Sequence, residues 1–245
     1  MRTNNEIPHW LSKQASLHPE KVAIEDPEGL KLTFQELQRN SESFARKLAN
    51  FPIEKGTRIA LLSNNKLEMI YAIHALSYLG AIVVLLNTRL TSYELTDQLN
   101  RSEAKLLITT ESLQEEKDLA FTHTTTFHEI NGLEEANIAL NTEINLEDPF
   151  TMMFTSGTTG APKAVLHTYG NHWWSAVGSV LNLGLHDHDK WLLTLPLFHV
   201  GGLSILIRSV MYGMTVYFME KYDQDQLLDA FINKKVTIAS LVTVM

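Results

Sequence analysis

Cysteine is absent from the 245 residues, which excludes a disulfide framework, a thiolate metal site and a cysteine nucleophile. Positive charge is in short supply. Twenty Lys and Arg face 28 Asp and Glu, for a formal charge of -8, the wrong sign for counterion-release binding to nucleic acid or for an anionic membrane surface. Any polyanionic ligand must therefore meet a locally concentrated positive site. Long apolar runs are missing as well: Asn4, Asn5, Glu6 and Pro8 occupy the place of a signal-peptide core, and no later stretch approaches membrane-spanning length. The expectation is a cytoplasmic protein without integral membrane contact. Neither an internal repeat nor a low-complexity tract occurs. What remains is an ordinary globular composition, 44% hydrophobic and 20% charged, with enough chain for one large or two modest domains.

Helix and strand signals alternate along this chain. Thr33-Phe34-Gln35-Glu36 has capping-box spacing, and Phe34, Leu37, Phe44 and Leu48 fall on one helical face, which predicts a helix ending near Asn50. Residues 59–62 read as a buried strand, 66–79 as a helix stopped by Gly80, and 81–86 as a wholly apolar strand. A second Thr-x-x-Glu box at Thr91 precedes a helix, and 105–109 read as a strand. Residues 111–148 are more polar and read as surface helix and connecting loop. Beyond them come strands at 150–154 and 164–167, a helix over 171–183, a strand at 215–219, a helix over 223–233 with Leu227, Leu228 and Phe231 inward, and a strand at 236–242. Near-continuous apolar strands separated by helices predict an α/β fold of mainly parallel sheets with helices on both faces. The expected division is a first α/β subdomain over 1–148 and a second over 149–245, and a chain stopping just after an apolar strand reads as truncated.

Between two apolar strands stands Thr155-Ser156-Gly157-Thr158-Thr159-Gly160-Ala161-Pro162-Lys163. Glycines bring backbone N–H groups close to an oxyanion, hydroxyls add donors, and Lys163 supplies the charge that the acidic chain otherwise lacks. Pro162 stiffens the exit. A plain Ser/Thr/Gly connector is the bland alternative, and the flanking strands and residue order speak against it. Other motifs fail on spacing: Gly157 and Gly160 do not frame a Walker loop, since Lys163 precedes Ala164 rather than Ser or Thr, and Ser156 lacks the flanking glycines of a nucleophile elbow.

This segment resembles the phosphate loop of the adenylate-forming enzymes, the superfamily of acyl-CoA synthetases, luciferases and peptide-synthetase adenylation domains. Leu195-Pro196-Leu197-Phe198-His199-Val200-Gly201-Gly202 is similar to the family segment whose histidine lies beside the acyl carboxylate. The resemblance runs over the whole chain. It implies the N-terminal part of the adenylate-forming fold, with ATP, Mg2+ and CoA as reactants. A carboxylate would attack ATP to give acyl-AMP, and the CoA thiol would then displace AMP. Thr155, Ser156, Gly157, Thr158, Thr159, Gly160 and Lys163 would hold the phosphates, with Lys163 and His199 catalytic. In the family, metal and ribose contacts come mainly from motifs absent here. The resemblance thus implies a missing C-terminal domain, a 245-residue chain that is inactive by itself, and no metal ligand within it.

The run from Leu195 to Ser209 is similar to that of o-succinylbenzoyl-CoA synthetases, the ligases of menaquinone biosynthesis. Their acid is an aromatic keto-dicarboxylate, so one carboxylate is activated while the other pairs with a cation. Arg208 suits that role. It stands among apolar neighbours and needs an anion or water, and nine residues past His199 on a continuing helix it lies about 13 Å further along. Ligases of another aromatic or fatty acid, or a non-catalytic nucleotide-binding fragment, are the alternatives. The small-molecule acid, ATP and CoA are the expected partners, with a homo-oligomer open. Trp173 and Trp174 read as helix core, His186-Asp187-His188-Asp189 as a solvated loop, and His167 and Tyr169 as residues able to line the site without an assigned role.

Overall fold

Alternating side chains along short apolar strands can satisfy two hydrophobic layers at once, and this chain uses that property twice. The computed structural model describes residues 5–119, 121–155 and 162–242. Its first large sheet orders β10 (Lys163–Thr168), β9 (Pro149–Thr155), β5 (Ile82–Leu85), β4 (Arg58–Leu62), β6 (Leu106–Thr109) and β7 (Thr124–Thr126). All neighbours are parallel except the β9–β10 hairpin at the edge. The second orders β13 (Ile238–Ala239), β11 (Lys190–Leu193), β12 (Thr215–Phe218), β2 (Val22–Glu25) and β3 (Lys31–Thr33), parallel apart from β2–β3. A small antiparallel pair joins β1 (Glu6–Pro8) to β8 (Glu143–Asn145).

In β4, Ile59 and Leu61 face one core while Ala60 and Leu62 face another, and β5 repeats this with Val83 and Leu85 against Ile82 and Val84. The second sheet sends Trp191, Leu193, Val216 and Phe218 into the same central core as Ile59 and Leu61, and turns Leu192, Tyr217 and Met219 outward to a third cluster. Helices α1 (Trp10–Leu17), α2 (Phe34–Leu48), α3 (Leu67–Tyr78) and α8 (Val200–Tyr212) contribute to the central core. Helix α3 is buried on nearly every side, from Met69 and Ile70 to Leu76 and Tyr78, as a helix between two sheets must be. Each fully buried Leu or Ile there contributes roughly 1.5–3 kcal/mol. The outer face of the first sheet is covered by α4 (Ser92–Ser102) through Leu95 and Leu99, with α5 (Glu111–Lys117) adding Leu113.

Both capping boxes form: Thr33 Oγ1 accepts from the Glu36 amide at 3.2 Å while the Glu36 carboxylate accepts from the Thr33 amide at 2.9 Å, and Thr91 and Glu94 repeat the arrangement. Two further boxes start α6 (Phe127–Asn131) at Thr126 and α7 (Tyr169–Leu183) at Thr168.

Four corrections follow. Strands β2, β3, β7 and β11 were not expected from the sequence. Each has only three or four residues, and its neighbours in the sheet, not its own pattern, make it a strand. The division at residue 148 is crossed by both sheets, because β9 and β10 pair with the first half of the chain and β11–β13 assemble on β2. Trp174 is 67% exposed rather than core, whereas Trp173 packs partly buried on the central cluster. In α9 (Gln224–Ile232), Ala230 is the buried residue and Leu227 is half-buried, but Leu228 and Phe231 face outward.

Candidate active site

In open parallel sheets, ligands gather beyond the C-terminal ends of the strands. Both large sheets point those ends at one region. Strand β9 ends there at Thr155, β5 leads there to Arg89, and β11 leads there to the segment from Leu195 to His199. A cavity of about 570 Å³ opens between them, walled by Met153 and Phe154 of β9, Val165 and His167 of β10, and Phe198 and His199 before α8.

The turn that presents His199 is held by a residue from far away in sequence. The buried Asn65 side chain donates to the Leu195 carbonyl at 3.0 Å and accepts from the Leu197 amide at 2.9 Å. Helix α8 then starts against this turn so closely that only glycine fits at position 202, where a Cβ would lie 2.3 Å from the Pro196 oxygen and 2.5 Å from that of Leu195. His199 is the residue before α8, and its imidazole makes no capping hydrogen bond. Among the described residues the ring has no hydrogen-bond partner, and it packs edge-on to Phe198 at 4.7 Å between centroids. Partial burial, and secondarily the charge of Arg89, lowers its pKa below 6.5, so it is neutral at pH 7. The N-terminus of α8 adds the positive end of a helix dipole.

On the other wall, Lys163 and Thr155 face each other across the hairpin, the Thr155 hydroxyl lying 3.5 Å from the Lys163 carbonyl. Lys163 is exposed and forms no ion pair among the described residues. Ser156, Gly157, Thr158, Thr159 and Gly160, expected to bind phosphates, lie outside the described residues. The Pro162 carbonyl accepts from Arg101 of α4 at 2.6 Å, and Arg101 also pairs with Asp97 at 3.1 Å and lies over the Phe154 ring.

Along β10, alternation puts Lys163, Val165 and His167 on one face, and the latter two line the cavity. His167 lies opposite Thr151, whose hydroxyl is hydrogen-bonded to His172 Nε2 at 2.9 Å. The two imidazoles are 5.7 Å apart. Burial lowers His167, and it drives His172 to about 4, with the His167 and Arg208 charges as smaller causes. Arg208 itself donates to Ser175 Oγ at 2.8 Å and lies over the Trp191 ring, beside rather than among the cavity-lining residues. Tyr169 does not reach the cavity; its hydroxyl is buried against Ser77 at 2.8 Å.

The structure therefore brings Thr155 and His199 to one cavity and pairs Lys163 with Thr155 across the hairpin, while Arg208 is not among the cavity-lining residues. Sequence reasoning missed Arg89 and Asn65, which come from loops after β5 and β4, and gave His167 no role. The His186–Asp189 segment is exposed except for Asp189, which accepts from Thr237 at 2.9 Å, and no group of three metal-capable side chains occurs among the described residues.

Residues 11–245 match the family described as AMP-binding enzyme. A 2-succinylbenzoate–CoA ligase of Oceanobacillus iheyensis is 52% identical over 240 residues, covering 97% of this chain and 50% of the relative. One of Geobacillus kaustophilus is 47% identical, covering 98% and 48%. The chain thus spans about half the length of the curated relatives it matches. Among solved structures, o-succinylbenzoate CoA synthetase from Bacillus subtilis in complex with the acyl-adenylate intermediate superimposes with a TM-score of 0.93 at 39% identity, over 98% of this chain and 63% of that one. The same enzyme with ATP and magnesium gives 0.90 at 39%, over 96% and 63%.

Proposed function

This chain belongs to the AMP-binding enzyme family, and from that premise we propose that it serves ATP-dependent activation of o-succinylbenzoate to its acyl-adenylate, followed by transfer to CoA, in the cytoplasmic synthesis of menaquinone. The observation that carries the reading is the cavity bounded at one side by the hairpin ending in Thr155 and Lys163 and at the other by His199. Two anions must meet in the first step. A carboxylate oxygen of the acid attacks the α-phosphorus of ATP, the bond to the bridging oxygen breaks, and pyrophosphate leaves with the electron pair. Lys163 and the Thr155 hydroxyl, with the loop between them, stabilise the charge on the leaving phosphates.

Neutral His199 orients the attacking carboxylate by donating one hydrogen bond, and the helix terminus behind it favours the anion. The thiol of CoA then attacks the acyl carbon and AMP departs. When bound, magnesium would offset charge on the phosphates. Arg208, whose Nε is buried without a partner among the described residues, is the candidate partner for the distal carboxylate. The names borne by the bacillar relatives support this acid over a fatty or simple aromatic one. The acid, ATP and CoA are its small-molecule partners.

The test is exchange of labelled pyrophosphate into ATP by the whole protein that contains this chain, with a panel of acids. o-Succinylbenzoate is expected to drive exchange best. Exchange driven by benzoates or fatty acids but not by the dicarboxylate overturns the choice of acid, and exchange with none overturns carboxylate activation.

A further inference from the structure

His167 has unspent hydrogen-bonding capacity at the cavity wall. Neither of its ring nitrogens has a partner among the described residues, and Nδ1 is fully enclosed. The facing Thr151 hydroxyl is committed to His172. A buried polar atom left unpaired costs roughly 1–3 kcal/mol, so packing alone gives no reason for an imidazole here. Since Nδ1 is enclosed while the residue lines the cavity, the ring edge that meets the cavity is the one carrying Nε2. Enclosed orphan donors are rarer than enclosed orphan acceptors, which leaves the lone pair on Nδ1 and the proton on Nε2. The lowered pKa agrees with a neutral ring.

Position then decides what this N–H reads. His199 and His167 line one cavity, and His172 stands 5.7 Å behind His167. An acid held by its reacting carboxylate at His199 lies along the wall that carries His167, so His167 meets the body of the acid rather than that carboxylate. We propose that His167 is a specificity-determining residue whose Nε2–H donates a hydrogen bond to a carbonyl oxygen lying between the two carboxylates of the acid. The inference rests on the function proposed above and names the atom of the substrate, the interior ketone, that the wall recognises. Mono- or dicarboxylates lacking that oxygen leave the N–H unpaired and are disfavoured for that reason.

The experiment compares the whole protein and its His167→Ala, His167→Gln and His167→Asn variants in pyrophosphate exchange. The acids are o-succinylbenzoate and the analogue with methylene in place of the ketone. With the keto acid, His167→Ala should lose about tenfold in kcat/KM, chiefly through KM for the acid, with KM for ATP unchanged; a tenfold change corresponds to one hydrogen bond. Gln places an amide N–H near the Nε2 position and should restore most of the loss, whereas the shorter Asn should not. With the methylene analogue, wild type and His167→Ala should be alike. An equal loss on both acids, or rescue by Asn instead of Gln, overturns the assignment of His167. Failure of the wild-type protein to use the keto acid at all would instead overturn the functional proposal beneath it.

Discussion

Acid should weaken this fold through one identifiable side chain. His9 is 2% exposed, stacked on Tyr78 with ring centroids 3.9 Å apart, and hydrogen-bonded through Nε2 to Ser77 Oγ at 2.9 Å, which in turn meets the Tyr169 hydroxyl. The chain of bonds ties the start of α1 to α3 and α7. Burial, and secondarily the charge of His74, lowers His9 from 6.5 to about 3. The unfolded chain therefore takes up a proton that the folded one refuses. Stability from this residue is complete above about pH 6.5 and is lost as pH falls toward 3. At pH 5 the loss is 1.5 pH units at ~1.4 kcal/mol each, or about 2 kcal/mol. His74 and His172, each lowered to about 4 by burial, act in the same direction, so a variant is needed to isolate the share of His9. His9→Gln keeps a donor for Ser77 but gives up the stacking, which should cost about 1 kcal/mol at pH 7. Being neutral throughout, it escapes the acid penalty and should become the more stable form at pH 5 by about 1 kcal/mol. Urea unfolding followed by tryptophan fluorescence at the two pH values reads this directly. A difference between wild type and variant that stays constant from pH 7 to 5, or a His9 resonance titrating near 6.5, would refute the reasoning.

Three shorter predictions accompany it. Lys163→Ala should slow adenylation by about 10²–10³-fold with an unchanged unfolding temperature, because the side chain is exposed; unaltered pyrophosphate exchange would remove it from the phosphate site. Arg208→Ala should raise KM for the dicarboxylate ~30-fold or more, at about 2 kcal/mol or above for an unpaired carboxylate, while KM for ATP holds; equal losses on both substrates, checked against Arg208→Lys, would indicate damage to the α7–α8 contact instead. Gly202→Ala forces a methyl against two backbone oxygens and should cost about 3 kcal/mol, lowering Tm by roughly 6–12 °C. Gly201→Ala, whose new carbon meets only the Leu195 side chain at 3.3 Å, is the mild control in the same melt.

Local chemistry was legible in the sequence and distant chemistry was not. The boxes at Thr33 and Thr91 announce themselves because donor and acceptor stand three residues apart, and the alternation of strand and helix gives the layered fold. Strands such as Thr124–Thr126 or Lys190–Leu193 carry no such signal, since a neighbour tens of residues away supplies their hydrogen bonds. The site divides in the same way. Lys163 and His199 sit in compact motifs, but Asn65 reaches the turn before His199 from 130 residues upstream, and nothing in its own neighbourhood foretells that. Trp174 misled because an aromatic residue on a helix reads as core until its helix is seen at the surface.

The edge strand β10 has one more consequence. Lys163 and His167 are four residues apart on one side of a single extended strand, so at ~3.4 Å per residue their Cα atoms are fixed about 14 Å apart. On the function proposed above, the strand serves as a gauge: the span from the nucleotide end to the acid end is set by a residue count, not by any one bond. Side chains on its other face, such as the exposed Leu166, lie outside that constraint. Adding or deleting one residue is a different matter, since it would turn Lys163 and His167 to opposite sides of the sheet. Selection on such an element acts on its length, and a homologue accepting a longer or shorter acid is expected to change its wall residues while keeping this count.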